Sequence, residues 1–218
     1  MLNVLKNTGY FFFLFLLYLI TGAVLLFLFF KGPIEIFLNQ FHTPFLDEFF
    51  QIITMFGEGI LPVCIIIILF FRKIYIGIVA SISLIVSTII VQSLKRTIFS
   101  DVLRPKAYLK DVPDLYYIEN IEIYSLHSFP SGHSSGAFTL FMVLAYFAKN
   151  KFVQLFCFIM AFMVTLSRIY MMQHFFIDTY FGAAIGVLIT ALVIYYFENH
   201  SNLKNKPFAN KPIYKLNS

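Results

Sequence analysis

The chain has 218 residues, of which 60% are apolar, 12% are charged and 29 are Phe, and its formal net charge is +5. Soluble domains carry about 25% charged residues, so this composition excludes a soluble domain and indicates an integral membrane protein. Because basic residues collect beside apolar segments, the positive charge is a topology signal, and no nucleic-acid partner is expected.

Six apolar blocks predict six membrane-spanning helices. The first, residues 10–30, contains no charged residue and can cross a hydrocarbon core of about 30 Å at about 1.5 Å per residue. The other blocks are residues 49–71, 74–94, 134–148, 152–168 and 177–197. The predicted fold class is therefore all-α, a polytopic bundle of six transmembrane helices, with residues 1–200 forming one membrane domain.

Lys and Arg in the short connecting segments predict the orientation of this bundle. With the N-terminus in the cytoplasm, Glu198 is the one acidic residue on the cytoplasmic side. The basic residues on that side are Lys6, Arg72, Lys73, Lys149, Lys151, Lys204, Lys206, Lys211 and Lys215. Both termini are thus predicted to be cytoplasmic, in a bacterial cytoplasmic (inner) membrane. Residues 201–218 are predicted to form a polar tail that is disordered or lies on anionic headgroups.

Two segments on the opposite, outer side are too long to be simple turns. Residues 33–48 place Ile and Phe at near-helical spacing, interrupted by Pro44, which predicts one or two short helices in the membrane interface. Residues 97–130 exceed what a helix-to-helix connection needs, and loops of this length are usually functional or disordered. Both polar motifs of the chain adjoin this side, so an outward-facing, periplasmic site is expected.

The first motif, Pro130-Ser-Gly-His133, is typical of a turn that leads into a helix. Ser131 can cap that helix and Gly132 allows close backbone approach, so a well-capped helix start is the simplest interpretation. A helix N-terminus also offers free N–H groups and a positive dipole end to an anion such as phosphate. His133 adds a proton donor there, which favours an anion site.

The second motif is Arg168-x5-His174-x3-Asp178. On a helix, residues four apart share a face, and an imidazole held by a carboxylate keeps its other nitrogen free as a nucleophile or base. The alternative for His174 and Asp178 is a purely structural hydrogen bond. Arg168 offers a planar donor fork to phosphate oxygens, or it extends to lipid headgroups.

Lys95, Arg96 and Arg104 add three cations near the outer end of the third predicted span. They could serve as interfacial anchors, but the positive-inside tendency disfavours them on this side, and a bound multiply charged anion is the simplest explanation. Gly182 and Gly186, in contrast, form a Gly-x-x-x-Gly pair that predicts close helix packing inside the bundle.

The ordered set of Lys and Arg-Pro, then Pro-Ser-Gly-His, then Ser167-Arg168-x5-His174-x3-Asp178 resembles the three-part signature of the type 2 phosphatidic acid phosphatase superfamily. Members include lipid phosphate phosphatases, undecaprenyl diphosphate phosphatases and lipid A phosphatases. The second and third motifs match completely and in order, and the six-span layout extends the resemblance over nearly the whole chain.

The first motif departs from the family pattern, which is Lys-x6-Arg-Pro. Here Lys95 lies nine positions before Arg104, and Thr97 stands where the lysine is expected. A two-residue loop insertion would let Lys95, or alternatively Arg96, reach the phosphate. Arg104 and the following Pro105 match directly.

The resemblance implies a membrane phosphatase without metal or cofactor. Its substrate, held in the lipid bilayer, would be phosphatidic acid, undecaprenyl diphosphate, phosphatidylglycerol phosphate or a lipid A phosphate. His174 is implied to attack phosphorus and form a phosphohistidine, Asp178 to orient it, and His133 to protonate the leaving group. The implied phosphate-binding residues are Arg104, Arg168, Ser131, Gly132 and Lys95. Two alternatives remain, a lipid phosphotransferase with the same site and a non-catalytic lipid-binding protein.

Overall fold

The computed structural model describes residues 2–29, 31–119 and 121–215. Their regular structure is helical throughout, with no strand in these ranges. The helices are α1 (Leu2–Asn7), α2 (Gly9–Leu28), α3 (Pro33–Asn39), α4 (Pro44–Thr54), α5 (Ile60–Arg72), α6 (Ile74–Thr97), α7 (Pro105–Tyr108), α8 (Gly132–Ala148), α9 (Lys151–Tyr170) and α10 (Phe176–Asn199). The all-α prediction is thereby confirmed. Phe30, at the end of the first predicted span, and residues 216–218 of the predicted tail lie outside the described residues.

Membrane-spanning length is reached by four of the described helices, α2, α6, α9 and α10, and by a fifth element if the bent pair α4–α5 counts as one span. Large apolar side chains cover their outer faces, where Phe13, Phe27 and Ile85 are each more than half exposed. Such a surface is unfavourable in water and suited to lipid. The chain is therefore an integral membrane protein. α8, with 17 residues, is shorter than these helices, so the six-span count stays a prediction.

The second predicted span, residues 49–71, is wrong as a single helix. α4 ends at Thr54, a 3-10 turn follows at Met55–Gly57, and α5 begins after a bend of 52°. Gly57 explains the break, because a Cβ there would lie 2.7 Å from the carbonyl oxygen of His133. The close approach of this turn to the start of α8 therefore requires glycine.

α8 forms the centre of the bundle. It packs against α6, α9 and α10, and most of its residues are buried. Phe138 is fully buried, with its ring in contact with those of Phe11, Phe15 and Phe158. A helix that is apolar on all sides belongs inside a bundle, which agrees with the continuous apolar sequence that follows Gly136.

The outer segments form a packed layer over one end of the bundle. A short helix predicted within residues 33–48 is present as α3, whereas the part after Pro44 is the beginning of α4. The interfacial position of α3 stays a prediction. The long loop is held at both ends, because Arg104 N donates to Ser125 O (2.9 Å) and Ser128 N donates to Val102 O (3.0 Å). These hydrogen bonds join the two ends of the loop, whose described parts are residues 97–119 and 121–130. Its functional role stays a prediction.

Residues 202–215 form three short 3-10 turns at the opposite end. The carbonyl oxygen of Lys211 accepts a hydrogen bond of 3.1 Å from Ile74 N, and Ala209 is buried. The tail therefore contacts the first residue of α6. Its predicted disorder and the division at residue 200 stay predictions.

Candidate active site

Four helix ends meet beneath the outer layer. α6 and α9 end there, whereas α8 and α10 begin there, because consecutive helices of the bundle run in opposite directions. Helix N-termini carry partial positive charge, and basic residues are favoured in the last turn of a helix. Both features occur here. The N-termini of α8 and α10 lie at this end, Lys95 lies in the last turn of α6, and Arg168 lies in the last turn of α9. The geometry thus concentrates positive charge at one place.

His174 lies in the short link between α9 and α10 and is 1% exposed. Its N–H donates to Arg168 O (3.1 Å), and its Nδ1 lies 3.5 Å from Asp178 Oδ2. The sequence predicted that His174 and Asp178 share one face of a helix, but α10 begins only at Phe176, so His174 lies before the helix. The two side chains nevertheless meet, because the tight link turns the imidazole back over the first turn of α10.

The side chains of His174 and Asp178 lie close together, and each keeps one polar atom without a hydrogen-bond partner among the described residues. Nδ1 of His174 makes no hydrogen bond of acceptable geometry within the described chain, although the main-chain carbonyl of Ser128 is close enough to favour protonation. Oδ1 of Asp178 has no partner there either, whereas its Oδ2 accepts from Ser128 Oγ and from Phe175 N. The carboxylate is fixed in place, and a small movement of the ring completes the pair.

The electrostatic surroundings keep His174 neutral. Burial, followed by the positive charges of Arg104, Lys95 and Arg168, lowers the pKa of His174 well below its ordinary value. A neutral imidazole retains a lone pair, which is the form that a nucleophile requires.

Arg168 is buried, and only part of its guanidinium group is hydrogen-bonded within the described residues. Its Nη1 donates to Thr54 Oγ1 (2.8 Å), but its Nε has no acceptor among the residues that the structure describes. An unsatisfied buried donor is costly, so such a group usually has a ligand. The predicted role in phosphate binding fits this geometry, and snorkelling to headgroups does not, since the side chain is 7% exposed.

Arg104 reaches the same place from the loop. Its Nε donates to Leu126 O (3.0 Å), and its Nη1 donates to the main-chain oxygen of Gln173 (2.9 Å). Gln173 is the residue before His174, so the guanidinium connects the long loop to the link that carries the imidazole. Neither Gln173 nor Thr54 has a sequence signal that would have revealed these contacts.

The two candidates for the missing family lysine are separated by the structure. Lys95 is buried and interacts electrostatically with the site, whereas Arg96 and Thr97 are exposed. The groups on which the charge of Lys95 acts are His133, His174 and Asp178. Because α6 stays helical as far as Thr97, Lys95 shares the inward face of the buried Val91. The two residues by which the spacing from Lys95 to Arg104 exceeds the family pattern therefore lie in the loop before Arg104.

The start of α8 agrees with the predicted capped turn. Oγ of Ser131 accepts hydrogen bonds from Ser134 N (3.4 Å) and Ser134 Oγ (3.1 Å), so the Ser131 oxygen is occupied by the cap. The N–H of Gly132, at the first helical position, has no acceptor within the helix. His133 follows and interacts electrostatically with Arg168, His174, Lys95 and Arg104. The two histidines thus belong to one cluster.

Gly182 and Gly186 fix α10 against α8. A Cβ on Gly182 would lie 2.4 Å from Ser131 O, and one on Gly186 would lie 2.4 Å from Ser135 O. The predicted close packing at the Gly-x-x-x-Gly pair is confirmed. In addition, Ser131 N donates to Asp178 O (2.9 Å), so this contact links the two motifs directly.

A cavity of about 500 Å³ leads from His133 towards the side of the bundle. Its walls come from the α4–α5 break, α6 and the start of α8. The polar side chains of the lining are those of Glu58, Thr88, Gln92, His133 and Ser135. The other lining residues are glycines and aliphatic residues, so much of the wall suits an apolar chain. No group of three or more His, Cys, Asp or Glu side chains is placed to hold a metal ion within the described ranges.

Comparison with known proteins gives one family. The family model described as the PAP2 superfamily matches residues 75–202, which is more than half of the chain and includes all three motifs. Phosphatidylglycerophosphatase B of Bacillus subtilis (strain 168) is 33% identical over 91 residues. That alignment covers 38% of this chain and 45% of the relative, so it spans less than half of that protein.

Two solved structures share the fold. The crystal structure of Aquifex aeolicus LpxE matches with a TM-score of 0.66 and 26% identity, over 75% of this chain and 93% of the other. The transmembrane PAP2 type phosphatidylglycerolphosphate phosphatase from Bacillus subtilis matches with a TM-score of 0.63, over 90% of this chain and 98% of the other. At 23% identity, the second match supports the fold alone.

Proposed function

Because the chain belongs to the PAP2 superfamily, we propose that it is an integral membrane phosphatase that hydrolyses a lipid phosphate or an isoprenoid diphosphate. The observation that carries this proposal is the buried cluster of cations around two imidazoles. In particular, Arg168 Nε lacks an acceptor within the described residues, and a phosphate oxygen would satisfy it.

His174 is the proposed nucleophile. Its Nε2 lone pair attacks phosphorus while the bond from phosphorus to the lipid oxygen breaks, and the electron pair of that bond leaves with the oxygen. His133 donates a proton to this oxygen, a role favoured once the negative phosphate lies beside it. Asp178 holds the imidazole and stabilises the positive charge that develops on it.

Hydrolysis of the phosphohistidine completes the cycle. Water attacks phosphorus, the bond from phosphorus to nitrogen breaks, and His133, now neutral, accepts the proton of the water. Arg104, Arg168 and Lys95 would bind the equatorial oxygens together with Gly132 N–H. These groups supply positive charge throughout the reaction, so the proposed mechanism is metal-independent and uses no cofactor. The Ser131 hydroxyl would donate its proton to a phosphate oxygen, while its oxygen accepts the hydrogen bonds of the helix cap.

The proposed substrate has a long apolar part. His133 lines the cavity together with aliphatic side chains, so a lipid leaving group in the cavity would lie on the side of the proton donor. The candidates are phosphatidic acid, phosphatidylglycerol phosphate, undecaprenyl diphosphate and a lipid A phosphate. One similar protein is named phosphatidylglycerophosphatase B, which supports testing phosphatidylglycerol phosphate first.

We further propose that the domain formed by residues 1–200 spans the membrane six times, through α2, the bent pair α4–α5, α6, α8, α9 and α10. Both termini and the polar tail 201–218 would then be cytoplasmic, because basic residues are concentrated at that end of the bundle. The active site would face the periplasmic or outer side of a bacterial cytoplasmic membrane.

The decisive experiment uses the purified full chain in detergent or vesicles. Release of inorganic phosphate from the four candidate lipids should persist in excess chelator and be inhibited by vanadate, a pentavalent analogue of phosphate. His174→Ala should abolish release, while His200→Ala, an exposed histidine at the opposite end, should retain it. Full activity in His174→Ala would refute the assignment.

The same assay separates the alternatives. A phosphotransferase would move labelled phosphate from a lipid diphosphate to a hydroxyl acceptor without releasing it. A non-catalytic binder would retain the lipid without turnover and without sensitivity to vanadate.

A further inference from the structure

Glu35 is a buried carboxylate that no motif contains. It lies in α3 and is 2% exposed, and the described residues give it no ion-pair partner within 4.0 Å. Its Oε1 accepts a hydrogen bond from Phe176 N (2.6 Å), and its Oε2 accepts one from Gly32 N (3.1 Å). Burying an unpaired carboxylate costs free energy. The position of Glu35 beside the active site therefore needs an explanation.

The hydrogen bond between Phe176 N and Glu35 lies at the first turn of α10, which carries the proposed catalytic residue Asp178. Asp178 Oδ2 accepts from Phe175 N, and Glu35 Oε1 accepts from the next N–H, that of Phe176. The first turn of α10 is therefore held from within by Asp178 and from outside by Glu35. The two bonded N–H groups directly follow His174, so they fix the peptides that join the imidazole to its carboxylate.

A second contact connects the same two segments. Nζ of Lys31 lies 4.2 Å from the centroid of the Phe175 ring, at a distance typical of a cation–π contact. Residues 31–35 thus hold residues 175–176 by a hydrogen bond to the backbone and by a contact with a side chain. These contacts are independent of the bonds that α10 makes within the bundle.

Glu35 is also electrostatically linked to the site. Burial raises the pKa of Glu35, the hydrogen bonds from the backbone of Phe176 and Gly32 oppose this increase, and the charge of Asp178 adds to it. A neutral cap would satisfy Phe176 N at a lower desolvation cost. The strong acceptor found here suits a position at which the helix must not shift.

We propose that Glu35 is a positioning residue that holds the first turn of α10 so that Asp178 faces His174. This inference rests on the proposed function, since it concerns how the nucleophile is oriented. Displacement of a reacting group by about 1 Å can reduce a rate about 100-fold. Loss of the bond should therefore affect turnover more than phosphate binding, because the phosphate cations come from α6, α9 and the loop.

The test compares Glu35→Ala with Glu35→Gln in the purified chain. Glu35→Ala should lower kcat about 10- to 100-fold with KM changed less than about threefold. Glu35→Gln keeps an oxygen that accepts from Phe176 N and should restore kcat to within about fivefold of the wild type, at the expense of the bond from Gly32 N. Calorimetric binding of inorganic phosphate gives the fraction of intact sites, so kcat is expressed per binding site.

Asp47→Ala is the matched control, because it removes a buried carboxylate of α4 whose hydrogen bonds go to His42, Tyr116 and Tyr170, none of which lies in α10. It should lower thermal stability while kcat per binding site is retained. If Glu35→Ala keeps full kcat per binding site, or if Glu35→Gln loses as much as Glu35→Ala, the positioning role is overturned.

Amide hydrogen exchange separates this proposal from the proposed function. In Glu35→Ala, exchange in the segment 174–180 should accelerate at least about tenfold, with α8 unchanged. If the wild type has no phosphatase activity but this acceleration occurs, the proposed function fails while Glu35 still holds the turn. Unchanged exchange in segment 174–180 would refute the positioning role.

Discussion

Among the described residues, two His–Asp pairs lie at the outer end of the bundle, and they differ in what else their polar atoms contact. In the first pair, His42 Nδ1 lies 2.7 Å from Asp47 Oδ1, and His42 Nε2 lies 3.1 Å from Tyr170 O. The hydroxyls of Tyr170 and Tyr116 donate to the carboxylate at 2.6 Å and 3.0 Å. Both ring nitrogens and both carboxylate oxygens are thus engaged.

The second pair, His174 and Asp178, is incomplete by comparison. The ring nitrogen lies 3.5 Å from the carboxylate, and one atom of each side chain has no hydrogen-bond partner in the described chain. The charges around it belong to Lys95, Arg104 and Arg168, whereas the His42 ring contacts the rings of Tyr116 and Tyr170 at tilted angles. A saturated pair connects segments of the fold, and an unsaturated pair among cations is available for chemistry.

Replacing each carboxylate by its amide should separate the two roles most strongly. Asp178→Asn should lower kcat at least about 100-fold, because the amide cannot stabilise the charge that develops on His174. Asp47→Asn should keep kcat within about threefold and reduce the free energy of unfolding by about 1–3 kcal/mol, because a buried charged acceptor is lost. Steady-state kinetics and thermal unfolding in the same detergent measure both. Equal kinetic losses would contradict the distinction.

His133 should show a dependence on the leaving group that His42 lacks. His133→Ala should reduce turnover of an alkyl phosphate about 100-fold and that of an activated aryl phosphate about tenfold or less, since a good leaving group needs little protonation. His42→Ala should affect both substrates alike. Parallel kinetics with the two esters provide the measurement, and identical losses in His133→Ala would exclude its role as the acid.

The reactive pair should depend on the contact between α8 and α10, whereas the structural pair should not. Gly182→Ala places a methyl group 2.4 Å from Ser131 O, so the helices must separate, at a cost of about 1–3 kcal/mol. Activity should fall about tenfold as His133 and Asp178 move apart. Gly9→Ala, where no atom lies within 4 Å, is the control. A stable, fully active Gly182→Ala protein would show that this packing does not position the site.

The smallest expected effect is a shift in pH dependence. The nucleophile must be neutral, and burial together with the charges of Arg104, Lys95 and Arg168 lowers the pKa of His174. The acid limb of kcat/KM due to His174 therefore lies below the ordinary imidazole value of about 6.5. Removing one cation favours the protonated ring, so Arg104→Gln should move this limb to higher pH.

The control for this shift is Arg72→Gln at the opposite end of the bundle, which should leave the limb in place. A limb that moves to lower pH in Arg104→Gln, or that does not move, would show that the charge of Arg104 does not act on the nucleophile.

The sequence alone determined the class of protein and the chemical groups of the site. Apolar blocks predicted the helices to within a few residues at most ends, because the hydrophobic length needed to cross a bilayer is a local property. The motifs selected both histidines, Asp178 and two of the arginines as candidates, and the structure brings these side chains into one cluster.

Only the tertiary structure decided which neighbours complete the site. The partners Ser128, Thr54 and Glu35 lie 50, 114 and 141 positions along the chain from the residues to which they are hydrogen-bonded. No local sequence pattern therefore predicts them. The break in the second span likewise follows from the contact of Gly57 with a distant helix.

The same reason explains which cation is buried and which His–Asp pair is saturated. Lys95 and Arg96 are both basic candidates in the sequence, and the orientation of α6 buries Lys95 and exposes Arg96. His42 and Asp47 likewise form a buried pair only because Tyr170 and Tyr116 arrive from other parts of the chain. Such contacts depend on packing between elements that are far apart in the chain, so no short segment of the sequence predicts them.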